Sequence, residues 1–197
     1  MLRRTTILAL LAVIGTFSAH GAEWKAETWR SAEKLFRSDP RWLGADAAFS
    51  VSLGGDRVLW LFGDTFIGAG STRRSKATFI RNSIAVQRGR DLSWARMDFY
   101  WKDEAGNAAS YFPASDESWL WPLHGIHRGH ALTLFFMRVA KAQGGLGFEL
   151  TGSAALRCEN PEQPPDRWRF HALALPRAPF DGAPLFGVAI LNRLDSV

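Results

Sequence analysis

Cysteine is nearly absent from the chain: Cys158 is the only one among 197 residues. A single thiol cannot form an intrachain disulfide, which excludes a small fold held together by several disulfides. Tyrosine is also scarce, with two residues, whereas there are nine tryptophans and 14 phenylalanines. This aromatic content predicts a large aromatic core or a groove that stacks against flat ligands such as sugars, and we expect most of the rings in the core.

Runs of like charge are missing as well, although the formal net charge is +5. The basic residues are scattered, so the sequence predicts neither a nucleic-acid partner nor binding to a membrane surface. It also lacks a glycine-rich phosphate loop, a Gly-x-Ser-x-Gly elbow and a His-Glu-x-x-His motif, and no cofactor is predicted. Three histidines, at positions 124, 127 and 130, lie around one predicted turn and its two flanking strands, an arrangement that does not predict a metal site.

The first 21 residues have the three features of a secretory signal peptide. Residues 1–4 (Met-Leu-Arg-Arg) form a short basic region, and 7–17 form an uncharged apolar run of 11 residues. Residues 19–21 (Ala-His-Gly) are a small-x-small cleavage site. Because a membrane-spanning helix needs about 20 apolar residues, no stable membrane anchor is expected. We predict cleavage after residue 21 and export to the periplasm or the cell exterior. The alternative is a buried helix at the N-terminus of the core.

Most of the remaining chain has the patterns of β-strands. Residues 49–53 alternate apolar with polar side chains, and 58–62 are a continuous run of β-formers, so with the Gly-Gly-Asp turn between them they predict a hairpin. We expect the second strand to end at Gly63-Asp64 and a third strand to cover 79–87. A helix is predicted only before Asp39-Pro40, where apolar residues have helical spacing.

A second group of strands, predicted at 120–126, 131–139 and 148–156, repeats this pattern, and a third group begins at 186–191. The main strands begin at Val58 and Ala131, 73 residues apart, a loose period that fits successive blades of a β-propeller. We predict an all-β fold with blade one at about 42–90, blade two at about 119–158 and the start of blade three at about 184–197. Residues 160–166 would be the loop between blades.

On this count the mature chain, 22–197, holds about two and a half blades and is a fragment of a longer protein. A propeller blade needs a neighbour on each side to bury both of its faces. The alternative is a self-contained sandwich of two sheets.

Several polar residues lie at the ends of the predicted inner strands, which in a propeller line one central funnel. Asp46 and His124 begin first strands, Asp64 ends a second strand, and Arg81 and Asn82 begin the strand that follows. Two carboxylates, an imidazole and a guanidinium suit glycoside chemistry, in which one group donates a proton and another stays ionised. Both aspartates are equally explained as turn caps, and Arg81-Asn82 as a cross-strand partner of Asp64.

Four segments resemble a family of exported bacterial five-bladed propellers labelled as a domain of unknown function. They are 42–51 (WLGADAAFSV), 59–66 (LWLFGDTF), 81–85 (RNSIA) and, from the second-blade motif, 119–126 (WLWPLHGI). The family is similar in fold to glycoside-processing propellers of the arabinanase and levansucrase type. This resemblance implies that Asp46 is a catalytic base or nucleophile. His124 occupies a slot that often holds an aspartate, and would then act as the acid.

The expected function is that of a secreted, glycoside hydrolase-like propeller whose partner is a carbohydrate. Asp46 and His124 are the predicted catalytic residues, and the predicted substrate contacts are Asp64, Arg81, Asn82 and Trp121. The alternatives are a non-catalytic glycan-binding or surface-scaffold propeller, and a truncated chain that is inactive by itself.

Overall fold

The computed structural model describes residues 25–175 and 185–190. The predicted signal peptide and most of the predicted third blade lie outside these residues. One α-helix, α1 (Arg30–Phe36), precedes the strands. The strands are β1 (Trp42–Ser52), β2 (Arg57–Gly68), β3 (Ala77–Ile80), β4 (Ser83–Arg88), β5 (Arg96–Tyr100), β6 (Lys102–Glu104), β7 (Asn107–Ala109), β8 (Ser118–Arg128), β9 (Ala131–Lys141), β10 (Phe148–Cys158) and β11 (Phe170–Leu173). Within the described ranges, no helix is long and apolar enough to cross a membrane.

Two larger antiparallel sheets contain nine of these strands. The first has the order β1-β2-β4-β5, with β3 paired to the far end of β2, and the second has the order β8-β9-β10-β11. The hairpin β6-β7 forms a small sheet of its own. None of the sheets closes on itself, and the chain is nearly all β. The all-β prediction is therefore confirmed, while the number of blades stays a prediction.

The main core lies between the two large sheets and follows from the alternation of side chains along their strands. On β9, Leu132, Leu134 and Phe136 are completely buried, whereas the residues between them are partly exposed. They meet side chains from the first sheet, which include Leu59, Leu61 and Ile84. Full burial of a side chain of this size stabilises the fold by about 1.5–3 kcal/mol.

A second core covers the opposite face of the first sheet. The predicted helix is present as α1, and its Leu35 is buried with Phe62 and Phe99 of the sheet. Phe36 packs edge-on against Trp60, with ring centroids 4.9 Å apart. The first sheet therefore has apolar partners on both faces, which explains the nearly continuous apolar sequence of β2.

Two predicted strand boundaries in the first sheet are wrong. The second strand does not end at Gly63-Asp64, because residues 65–68 continue to pair with β3 and with β1. The strand predicted over 79–87 is two strands, β3 and β4, which pair with different parts of β2. Both are antiparallel to β2 in the same register, and the pairing is interrupted between them at Arg81 and Asn82.

The sequence also missed the last strand of each large sheet, β5 and β11. Residues 160–166 are consequently a connection within the second sheet, between β10 and β11, and not a loop between blades. The strand predicted at 186–191 is not found in its described part, where 186–189 form a turn and a bend. Gly187 lies against Phe135 of β9 and accepts a hydrogen bond from the backbone N–H of His124, 3.0 Å away.

Asn82 ties the two large sheets together at this interruption. Its side chain is completely buried, and its amide nitrogen donates to the carbonyl of Leu120 on β8 at 2.8 Å. Its side-chain oxygen accepts from the backbone N–H of Phe112 at 2.7 Å. The side-chain amide of Asn82 is thus the hydrogen-bond partner of the Leu120 carbonyl and of the Phe112 N–H, which would otherwise lack this partner.

We expect Asn82→Ala to lower the free energy of unfolding by about 2–4 kcal/mol, because it removes two buried hydrogen bonds and leaves their partners desolvated. Urea denaturation of the purified chain measures this change. Asn107→Ala is the matched control, since its side chain is exposed and makes only a 3.5 Å contact with Ala105. Equal stability of the two variants would contradict the role given to Asn82.

Candidate functional site

Asp46 lies on β1 at a place where the strand is irregular. The pairing of β1 with β2 shifts register between Ala45 and Ala47 and again between Ala47 and Phe49. Ala47 and Ala48 have positive φ angles of 61° and 126°. Such values are costly for residues with a Cβ, and bulges of this kind re-aim the side chains beside them. The predicted turn cap is thus a bulged strand residue.

The carboxylate of Asp46 lies directly over Gly63 of β2. A methyl group at Gly63 would overlap Oδ1 of Asp46, so the absence of a side chain there makes room for the carboxylate. Burial raises the pKa of Asp46, and hydrogen bonds from the backbone N–H groups of Asp64 and of Asp46 itself oppose this rise. In the sequence, Gly63 precedes Asp64, and this Gly-Asp pair predicts the end of a strand without indicating a contact with Asp46.

Asp64 is the ionisable group that faces Asp46. Its Oδ1 accepts a hydrogen bond from the indole N–H of Trp121 at 2.8 Å, and Nη1 of Arg81 lies 3.7 Å from the same oxygen. Burial raises the pKa of Asp64 and the negative charge of Asp46 adds to this effect, while Trp121 and Arg81 oppose it. The cross-strand partnership between Arg81 and Asp64 is therefore present.

Arg81 also connects the two sheets through aromatic contacts. Its guanidinium carbon lies 3.9 Å from the ring centroid of Trp119 on β8 and 5.0 Å from that of Phe79 on β3. Trp119 is buried and packs edge-on against Trp121, with centroids 5.8 Å apart. Trp119 was not among the predicted site residues, although it lies in the same Trp-Leu-Trp motif as Trp121.

His124 lies further along the same pair of strands. Its ring packs against Phe49, at a centroid distance of 6.5 Å, and its Nδ1 is 2.8 Å from the carbonyl oxygen of Gly125. Phe49 is three residues after Asp46 on β1, beyond the irregular part of the strand. Because a carbonyl only accepts, Nδ1 carries a hydrogen and Nε2 is the atom that can exchange a proton.

Of the predicted site residues, the structure groups four and separates two. The four are Asp46, Asp64, Arg81 and Trp121, whose contacts form one cluster at the junction of β1, β2 and β8. His124 lies beyond this cluster, and Asn82 is buried with both ends of its amide occupied. A direct contact of Asn82 with a ligand therefore receives no support from its position.

The cluster is partly open to solvent: the side chain of Asp64 is 22% exposed and that of Arg81 33% exposed. It offers paired carboxyl groups with raised pKa values, a guanidinium and an indole. Carboxyl pairs of this type perform acid–base or nucleophilic chemistry on sugars, and they also bind polar ligands through hydrogen bonds. The described part of the chain holds no group of three side chains suited to a metal ion.

Comparison with known proteins places the chain in a family. The family model described as "Domain of unknown function (DUF5005)" matches residues 30–171, which include all four clustered residues. The chain therefore belongs to this family. No curated protein matches the sequence.

The fold is similar to a solved structure from Bacteroides ovatus ATCC 8483, which is described as a "putative hydrolase". The two have a TM-score of 0.54 and 17% sequence identity over 70% of this chain. The match covers 40% of that structure, so this chain spans about two fifths of its length. At this identity the comparison shows a common fold.

We expect Ala48→Gly to stabilise the protein, because glycine accepts a φ of 126° that strains alanine. Relief of about 1–3 kcal/mol of strain, less about 0.5–1 kcal/mol for the added freedom of the unfolded chain, leaves a gain of roughly 1 kcal/mol. Thermal unfolding should show a rise in Tm of about 2–4 °C. Ala140→Gly, in the regular part of β9, is the control and should lower Tm. A fall in Tm for both variants would argue against strain at Ala48.

We expect Asp64→Asn to raise Tm at pH 7 relative to the unaltered chain, and to have little effect near pH 3. The raised pKa of Asp64 means that the folded state favours the neutral carboxyl, so stability is lost as pH rises through the folded pKa. Asparagine is neutral throughout and retains the oxygen that accepts from Trp121. Thermal unfolding across this pH range measures the effect.

Asp39→Asn is the control of opposite sign. Burial raises the pKa of Asp39, but the hydrogen bonds from the side chain and backbone of Arg41 lower it by more than burial raises it, so the net shift is downward. Its contribution to stability is present at pH 7 and lost as pH falls through the folded pKa. Asp39→Asn should therefore lower Tm at pH 7. The same sign of change in both variants would contradict the environment described for Asp64.

Proposed function

We propose that this DUF5005 protein is an exported, glycosidase-like five-bladed propeller that binds a carbohydrate at the junction of β1, β2 and β8. The observation that carries this proposal is the placement of Asp46 against Asp64 at a partly open strand junction, with Arg81 and Trp121 on the second carboxylate. The common fold with a protein described as a hydrolase supports a hydrolytic reaction. The two antiparallel sheets, which have four neighbouring strands each in the orders β1-β2-β4-β5 and β8-β9-β10-β11 and share one core, support the propeller.

Asp46 is the proposed base or nucleophile. Its carboxylate is held over Gly63 by neighbouring backbone N–H groups, while the bulge at Ala47 and Ala48 directs it out of the regular strand. Pre-organisation of this kind fixes a reacting group without a rearrangement during the reaction. Strain is commonly retained where it serves such a purpose.

His124 is the proposed proton donor, through Nε2. In its protonated form this atom carries a hydrogen, and Nδ1 is held by the carbonyl of Gly125. Its place beside Phe49, three residues along β1 from Asp46, is compatible with an inverting mechanism, in which a water molecule lies between the acid and the base. Asp64 and Arg81 would then bind hydroxyl groups of the sugar, and the indole of Trp121 would contact the sugar while its N–H holds Asp64 in place.

A non-catalytic glycan-binding propeller is the second candidate. It is favoured by the fact that Asp64, the carboxyl group nearest to Asp46, already has Trp121 and Arg81 as partners. A carboxylate held in this way accepts hydrogen bonds from sugar hydroxyls without taking part in proton transfer.

We expect Asp46→Asn to reduce hydrolysis of a cleaved glycan by at least about 100-fold, because an amide cannot act as a base or nucleophile. A panel of reducing-end assays identifies the substrate, and calorimetry measures glycan binding by the same variant. Glycan binding should remain near that of the unaltered chain and Tm should not fall, since asparagine is nearly isosteric with aspartate and the raised pKa of Asp46 already favours a neutral group.

Asp56→Asn, in the exposed turn before β2, is the matched control and should leave hydrolysis unchanged. Full activity of Asp46→Asn would reject the catalytic role. Loss of both Tm and binding in that variant would make Asp46 a structural residue. Glycan binding without hydrolysis by the unaltered chain would favour the second candidate.

A further inference from the structure

Two arginines and two phenylalanines form a row beside the Asp46–Asp64 pair. Phe66 of β2 pairs with Phe79 of β3, and their ring centroids are 5.3 Å apart. The guanidinium carbon of Arg74 lies 5.3 Å from the ring centroid of Phe66, and that of Arg81 lies 5.0 Å from the ring centroid of Phe79. We call these four residues the arginine–phenylalanine row. Contacts between a guanidinium and an aromatic ring orient the cation and stabilise its position.

Each arginine of the row lies beside a strand that carries a carboxylate of the candidate site. Arg81 lies 3.7 Å from the carboxylate of Asp64. The guanidinium of Arg74 lies close over Gly44 of β1, two residues before Asp46. Gly44 has a φ of 131°, and an added Cβ there would lie 2.8 Å from Nη2 of Arg74. Glycine at this position therefore lets the guanidinium approach the strand that carries Asp46.

The positive charge of the row is only partly neutralised. Arg81 has Asp64 as its ion-pair partner, but Arg74 makes no ion pair with any described residue. Arg73 and Lys76, in the same short segment, are likewise exposed and without an ion pair in the ranges that the structure describes. Within the row, Arg81 acts on the carboxylate of Asp64 while the charge of Arg74 has no ion-pair partner among the described residues, so positive charge is in excess. Such an excess of positive charge attracts anionic ligands.

We infer that the proposed site takes an anionic saccharide, whose carboxylate or sulfate group is bound by Arg74 and Arg81. The inference rests on the proposed function and specifies its substrate class. The planar guanidinium group matches the two oxygens of a carboxylate or sulfate and forms stronger hydrogen bonds than a neutral donor does. Phe79, which is 45% exposed, offers its ring to the apolar face of the sugar.

A neutral saccharide would make fewer favourable interactions with this surface than an anionic one. Its hydroxyl groups would hydrogen-bond with Asp64, but they would leave the charge of Arg74 without a counterion. An anionic group satisfies that charge and thereby gains an interaction that the neutral sugar lacks. The difference between the two classes is therefore expected in binding affinity and in its dependence on salt.

The test measures binding of three short oligosaccharides by calorimetry: trigalacturonic acid, a sulfated disaccharide and neutral galactotriose. We expect at least one of the two anionic probes to bind about tenfold or more tightly than galactotriose at low salt, and to lose most of this advantage at 0.5–1 M salt. The two anionic arms distinguish a carboxylate from a sulfate. Short probes avoid the general attraction of a basic protein to long polyanions.

Arg74→Gln should weaken binding of the preferred anionic probe by about tenfold or more, through the loss of a charge-assisted hydrogen bond. Arg74→Lys should restore part of the affinity, because it keeps the charge and loses the planar fork. Arg96→Gln, on the exposed edge strand β5, makes the same change in net charge and should not alter binding. Arg74 is exposed, and Tm should be the same in all three variants.

Equal losses of affinity in Arg74→Gln and Arg96→Gln would show a general charge effect and overturn the inference. Preference for galactotriose would overturn it too, but would leave the carbohydrate site in place. Failure to bind any saccharide would contradict both the inference and the proposed function. The Asp46→Asn experiment tests hydrolysis alone, so the two hypotheses can fail separately.

Discussion

The contact between β1 and β8 is the constraint on which the rest of the structure depends. Each strand is the first of its sheet, and their side-by-side position brings the apolar faces of the two sheets into one core. The approach is close: a Cβ at Gly125 of β8 would overlap Leu134 and lie 3.3 Å from Val51 of β1. The same contact lets Trp121 reach Asp64 on the neighbouring sheet. Separation of the strands would therefore disrupt the core and the site together.

The candidate site combines features that oppose stability with a core that compensates for them. Asp64 loses hydration on burial and the more exposed Asp46 loses part of its own, the negative charge of Asp46 disfavours ionisation of Asp64, and the backbone beside Asp46 is strained. These costs fall on residues at the junction of the sheets, where Asn82 and the buried leucines fix the surrounding backbone. A rigid frame can keep a strained group in place because any relaxation would disturb well-packed neighbours. This is the pattern expected of a functional site and not of a turn.

Some strands and strand boundaries could be predicted from the sequence much better than others. Long strands with clear alternation, such as β8, β9 and β10, were predicted well because burial of one face determines the pattern. The short edge strands β5 and β11 were missed, since a few residues carry little periodicity. Asp64 was read as the end of a strand because Gly-Asp is typical of turns. Continuation of β2 to Gly68 depends on pairing with β3, a partner that local sequence does not reveal.

The expectation that inner strand ends converge grouped six residues, of which the structure brings four into contact, and their role in a site stays a prediction. Arg81 is the residue that links both parts of the proposal, because it lies next to Asp64 and also belongs to the arginine–phenylalanine row. Its positive charge lowers the pKa of Asp64. An anionic group bound to Arg81 would offset that charge, so the pKa of Asp64 would rise further. Binding of such a ligand would then favour the protonated form of Asp64 and weaken its repulsion of an ionised Asp46. Ligand charge and the protonation of the site are in this way coupled through one guanidinium.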